Sequence, residues 1–188
     1  MKRSSLKMFV IFLCCSFFFL LGNAQDTSSL IIEEFPSSWE GDWAGELQIF
    51  GKEGLKQSLP MQLLIHPLEN SSDFSFTIIY GVDVEKGKRD YILKTIDASK
   101  GHYAIDEQNS IMMGAYLLGG KLVQRFEVMG NLLDTFIAKE GEHLVWEIFS
   151  GKLESTIVSG DSEYEGEDIP EVKSYPIGVY QKCVLSKF

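Results

Sequence analysis

Trp39-Glu40-Gly41-Asp42-Trp43-Ala44-Gly45 opens the part of the chain whose pattern decides the fold. From Trp43 onward apolar residues recur at every second position: Trp43, Gly45, Leu47 and Ile49 alternate with Ala44, Glu46 and Gln48. A period of two marks a strand with one buried face. The same period continues through Leu59, Met61, Leu63 and Ile65, then Phe74, Phe76, Ile78 and Tyr80, then Tyr91, Leu93 and Thr95. Tyr103-Ala104-Ile105, Ile111 to Leu118, Leu122 to Met129, Leu132 to Ala138 and Leu144 to Phe149 extend the series. Hairpin signals separate the runs: Lys52-Glu53-Gly54, Glu85-Lys86-Gly87-Lys88, Gly119-Gly120, Gly130-Asn131 and Glu140-Gly141-Glu142. Beyond the N-terminal segment no stretch carries a convincing helical period. The expected fold is all-β, an antiparallel up-and-down β-barrel of about eight to ten strands.

Three features modify that meander. Pro60 removes a ladder donor, so it belongs at an edge or beside a bulge. Pro36-Ser37-Ser38-Trp39-Glu40 carries a Ser-x-x-Glu pattern, which predicts a short helical turn at the N-terminal mouth of the barrel. Residues 159–172 are dense in carboxylates: Asp161, Glu163, Glu165, Glu167, Asp168 and Glu171. They lack the Asp-x-Asp-x-Asp-Gly spacing of a calcium loop and read as a solvated acidic loop. Order returns at Ser174 to Leu185, a last strand that closes the sheet if it pairs beside the first.

Gly41-Asp42-Trp43 at the first strand, the short turn before it and the sequential meander resemble the lipocalin and calycin group of barrels. The chain is similar to secreted bacterial lipocalin-like proteins. That resemblance implies that Trp43 plugs one end and that the interior is a cup for a small molecule. It also implies a basic residue from a late strand packed across the tryptophan, with Lys182 as the candidate. The acidic insertion, and a strand count nearer ten than eight, depart from the plain lipocalin pattern. An avidin-like, fatty-acid-carrier-like or haem-binding barrel stays open.

The N-terminus reads as an export signal. Lys2, Arg3 and Lys7 precede the apolar run Met8 to Leu21, and Gly22-Asn23-Ala24 offers small residues for cleavage before Gln25. The run is shorter than the roughly 20 residues of a membrane-spanning helix, and no later segment would span after cleavage. Cys14 and Cys15 lie inside it, so neither sits where a lipid anchor needs one. Residues 1–24 are thus a removable signal peptide and residues 25–188 a single barrel domain, exported to the periplasm or secreted. The chain's net charge is -10 and the signal removes only basic residues, which argues against nucleic acid and anionic membrane surfaces. Cys183 is then the single cysteine, so no internal disulfide is available.

Nothing in the residues points to catalysis, and no enzyme, metal or cofactor is expected. His66, His102 and His143 are far apart in sequence, without the close spacing of metal or haem ligands. No Gly-x-Ser-x-Gly elbow occurs, Cys183 fits a packed thiol, and Asp106-Glu107-Gln108-Asn109 reads as a turn. The expected role is an exported, non-catalytic barrel enclosing a small hydrophobic or amphiphilic ligand. Its walls should come from the inward phase of the strands: Trp43, Phe76, Tyr80, Tyr91, Met113, Phe126 and Trp146, with Arg89 and Gln124 as polar members. The alternative is a filled barrel acting through loops or surface as a protein- or glycan-binding envelope component or inhibitor.

Overall fold

The computed structural model describes residues 35–188. The signal peptide expected at residues 1–24 lies outside them. Nine strands follow one another as β1 (Gly41–Gly51), β2 (Gly54–Pro67), β3 (Phe74–Tyr80), β4 (Lys88–Asp97), β5 (His102–Asp106), β6 (Met112–Leu118), β7 (Lys121–Val128), β8 (Asn131–Glu140) and β9 (His143–Lys152). Four short strands come next: β10 (Ile157–Ser159), β11 (Ser162–Tyr164), β12 (Glu167–Ile169) and β13 (Val172–Ser174). The chain ends in β14 (Val179–Lys187). Strands β1 to β9 pair in sequence, and β14 joins β9 to β1, which closes an antiparallel ten-strand barrel. Closure leaves the barrel without an open edge.

The seam between β1 and β14 is tight. Trp43 pairs with Lys187, Gly45 with Leu185 and Ile49 with Gln181. Gly45 occupies an inward position where a Cβ would overlap the backbone carbonyl of Val184 and press on the Cys183 sulfur. Only a residue without a side chain lets the two strands approach this closely. Pro60 lies where β2 runs past the end of β3. Its carbonyl accepts from Gly81 beyond the last strand pair, Met61 with Tyr80, so its missing N–H costs no ladder bond. The register shifts sit elsewhere, at Ile49/Phe50 and at Thr95/Asp97.

One end of the barrel is plugged. A 3-10 turn, Ser37–Trp39, precedes β1, as expected, although its mechanism differs: Pro36 is the cap, no side chain caps it, and Glu40 N–H donates to the Ser37 carbonyl. The turn inserts Phe35 and Trp39, whose rings meet edge to face at 4.7 Å, and Phe35 also meets Tyr103 at 4.9 Å. Trp43 is buried beneath them and donates from Nε1 to the Trp39 carbonyl at 2.9 Å. Leu63, Leu93, Leu117 and Leu144 complete the core at this end.

Two segments differ from expectation. Glu85 to Gly87 belongs to one helical turn, Val84–Gly87, because the Asp83 carboxylate accepts from the Lys86 N–H and caps it. Residues 159–172 are no plain loop. With their flanks they form an arm in which β10 pairs β13 and β11 pairs β12. All four strands are exposed, so no alternation of burial marks them in the sequence. The final barrel strand accordingly starts at Val179 rather than Ser174.

Two outcomes test this architecture. Gly45→Ala should destabilise the barrel by about 1–3 kcal/mol in urea titration, the usual scale of overpacking; an unchanged midpoint would show that the seam has slack. The second concerns Asp73 in the β2–β3 turn. Burial alone would raise its pKa, yet hydrogen bonds from the Thr95 N–H (2.8 Å) and Lys94 Nζ (2.9 Å) hold it below the ordinary carboxylate value. A depressed folded pKa stabilises above the unfolded value of about 4 and is lost as pH falls through the folded value. Asp73→Asn should therefore cost about 1–2 kcal/mol at neutral pH, and the difference from the parent should shrink in acid.

Candidate functional site

The strands alternate direction, so the turns fall at two ends. The end opposite the plug carries the β3–β4, β5–β6 and β7–β8 connections and the arm. Here the interior is hollow: a cavity of about 430 Å³ lies between β3, β4, β5, β6, β7, β8 and β9. This is within the roughly 300–1,000 Å³ of small-molecule sites. It opens outward, because its lining residues Ile111, Met112, Glu127 and Val128 are solvent-exposed. Val82 in the β3–β4 connection and Met129 in the β7–β8 connection, at the same end, are almost fully exposed.

The walls are built from cross-strand pairs on the inward face. Phe76 lies opposite Tyr91, Ile105 opposite Met113, Gln124 opposite Thr135, Phe126 opposite Leu133, and Thr135 opposite Ile148. Phe76 and Trp146 approach across the interior, with ring centroids 6.1 Å apart.

Of the wall residues expected from sequence, Phe76, Tyr80, Tyr91, Met113, Gln124, Phe126 and Trp146 line the cavity. Trp43 does not: it is core at the plugged end, in the plug position the calycin resemblance implied. Arg89 does not either. It shares the phase of Tyr91 but lies one residue into β4, at the barrel margin and exposed. There its Nη1 donates to the carbonyls of Lys86 (2.9 Å) and Lys88 (2.7 Å) beside the helical turn. The basic residue across Trp43 is Lys187, its Nζ 5.1 Å from the ring centroid; Lys182 instead pairs opposite Gln48.

Polar groups in the cavity are few. Burial pushes the Tyr80 phenol up to about 12, helped by Tyr91 and partly offset by Arg89. Tyr91 is raised by burial and then by the neighbouring Glu107 carboxylate. Both phenols are therefore uncharged at neutral pH. Gln124 and Trp146 are only 7% and 5% exposed, and neither Gln124 Nε2 nor Trp146 Nε1 has a hydrogen-bond partner among the described residues. A buried, unpartnered polar atom costs roughly 1–3 kcal/mol, so two in one cavity are a marked feature. Among the described residues the cavity's charged lining residues are Glu107 and Glu127, and no Lys, Arg or His side chain lines it.

Other reactive side chains lie apart from this site. His66 bonds Asp42 at 2.7 Å, His143 bonds Ser186 at 3.0 Å, and His102 stacks on Tyr116. Cys183 is buried, and burial together with Glu46 raises its thiol to about 11, which leaves it a poor nucleophile. Among the described residues no group of three or more His, Cys, Asp or Glu side chains could hold a metal ion, and no helix is long and apolar enough to cross a membrane.

Sequence reading missed Ile78, Ile105, Leu133, Thr135 and Ile148, which share the inward phase of wall residues it had found. The alternation contained them; their smaller side chains gave no reason to prefer them. It also missed Glu107, which lies in the Asp106–Asn109 turn as expected yet lines the cavity. No sequence signal distinguishes a turn carboxylate at a mouth from one in open solvent.

Compared with known proteins, the chain matches no protein-family model and no curated sequence.

Proposed function

We propose that the protein is an exported, non-catalytic binding barrel that encloses a small, largely apolar or amphiphilic molecule. The observation that carries this reading is the cavity of about 430 Å³, open at one end, with aromatic and aliphatic walls and two unpartnered donors. A plug at one end and a mouth at the other suit capture and release through a single opening. Among the described lining residues no Ser, Cys or His stands beside Glu107 or Glu127 to form a nucleophile–base constellation, which fits binding. Export to the periplasm or beyond rests on the basic and apolar pattern of residues 1–24. The direct test is native mass spectrometry of the protein purified from its own host, compared with its denatured mass. A defined mass lost on denaturation identifies the cargo.

A second reading, in which the surface docks a protein or glycan, is favoured by the arm. Ile157, Val158, Tyr164 and Val172 are each more than half exposed there, amid acidic residues. The readings separate on two variants. Leu133→Trp fills the cavity and should lower uptake of the neutral dye N-phenyl-1-naphthylamine by at least about tenfold. Tyr80→Ala and Trp146→Ala should abolish it, though Trp146→Ala will also lower stability by about 3–5 kcal/mol. Replacing residues 157–174 by a tight turn should leave dye binding within about twofold, since the arm adds nothing to the cavity wall. Dye binding lost with the arm but kept in Leu133→Trp would reverse the assignment.

A further inference from the structure

The cavity's own chemistry narrows the class of cargo. Trp146 Nε1 can only donate a hydrogen bond, and the Gln124 amide offers a second donor two strands away on the wall, on β7 rather than β9. Each is buried, and each lacks a partner among the described residues. A ligand that brings an oxygen acceptor to this depth removes that deficit; a pure hydrocarbon does not.

The sign of charge matters as much. An anionic head would find Glu107 and Glu127 on the cavity lining and, among the described residues, no cationic side chain in that lining. Arg89, the basic residue nearest in phase, is turned to the carbonyls of Lys86 and Lys88. A carboxylate would therefore lie beside two like charges, with Arg89 at the barrel margin as the one positive charge felt by the lining Tyr80 and Tyr91. A neutral acceptor avoids that repulsion, and an amine at the mouth gains two carboxylate neighbours.

On the reading of the barrel as a carrier, we propose that its cargo is an uncharged or cationic amphiphile bearing a neutral oxygen acceptor, and that the cavity discriminates against carboxylate lipids. Trp146 and Gln124 hold the acceptor, while Glu107 and Glu127 repel an anionic head.

The test is displacement of N-phenyl-1-naphthylamine from the purified exported protein by three alkyl compounds of one chain length: a carboxylate, its methyl ester and the primary amine. The ester and the amine should displace the dye at concentrations at least about tenfold below the carboxylate. Trp146→Phe and Gln124→Leu, which keep an apolar wall, should each weaken the ester about five- to tenfold. Glu107→Gln combined with Glu127→Gln should tighten the carboxylate and weaken the amine. A carboxylate that displaces as well as the ester, or an ester indifferent to both donor variants, would overturn the assignment of cargo. So would a dye that binds while none of the three displaces it; the carrier reading would then stand alone. A dye that does not bind at all removes the carrier reading, and the cargo class with it.

Discussion

The seam between β1 and β14 is the pairing on which the rest depends. Every other barrel strand pairs with its sequence neighbour, so the sheet could form locally yet remain open. Closure joins the first strand to the last across the full length of the domain. Several interactions converge there. Inside, Gly45 makes room for Val184 and Cys183. Outside, Phe50 stacks on Tyr180 at 5.7 Å and Tyr180 on Phe149 at 4.7 Å, an aromatic ladder over three strands. The Tyr180 hydroxyl donates to Glu147, and Lys187 lies over Trp43. Closure withstands the long arm inserted between β9 and β14 because loop entropy grows only with the logarithm of length, about 0.6 kcal/mol per doubling. The arm's base is also fixed: Gly151 packs beneath the Pro176 carbonyl, and Gly178 N–H bonds Ser150.

Ten strands also explain why the interior is not uniformly filled. A barrel of about eight strands is just wide enough for its own side chains, and diameter grows with strand number. At the plugged end the added width is taken up by Phe35 and Trp39, which enter from the preceding turn rather than from a barrel strand. Among the described residues no comparable plug enters the other end. Its inward positions carry Thr135, Gln124, Met113 and Leu133 among the aromatics, and these leave space.

Much of this was legible in the chain because one face of each barrel strand is buried and the other is not. Period two therefore located the barrel strands, and hairpin residues located most turns. It failed where burial does not alternate. The arm strands are exposed on both faces, so the carboxylates of 159–172 suggested solvent rather than pairing. The seven aromatic, methionine and glutamine wall residues were legible by phase, but phase does not give height along the barrel axis. Trp43 and Phe76 are both inward, yet one is plug and the other cavity wall. Arg89 shows the same limit at a strand end, where an inward phase no longer means an enclosed side chain. Lys187, rather than Lys182, covers Trp43 because the β1–β14 register sets that pair, and register between the first and last strands is invisible locally.

The cavity has a thermodynamic cost that bears on its meaning. Were about 430 Å³ of apolar space sealed and empty, the penalty would be on the order of 10 kcal/mol, from the cost of residual core volume. That is comparable to the whole stability of a typical domain. The open mouth relieves the void by admitting solvent, but water then wets walls built from Phe76, Ile78, Ile105, Phe126 and Ile148. Those side chains make poor partners for it. Larger inward residues at Thr135 or Leu133 would fill the space and stabilise the barrel. A fold that packs one end with the meeting rings of Phe35, Trp39 and Tyr103 and a buried Trp43 bonded to the Trp39 carbonyl is not short of means to pack the other. Hollowness at the open end is therefore not forced by any need of the barrel itself, and it is compatible with the proposed binding role.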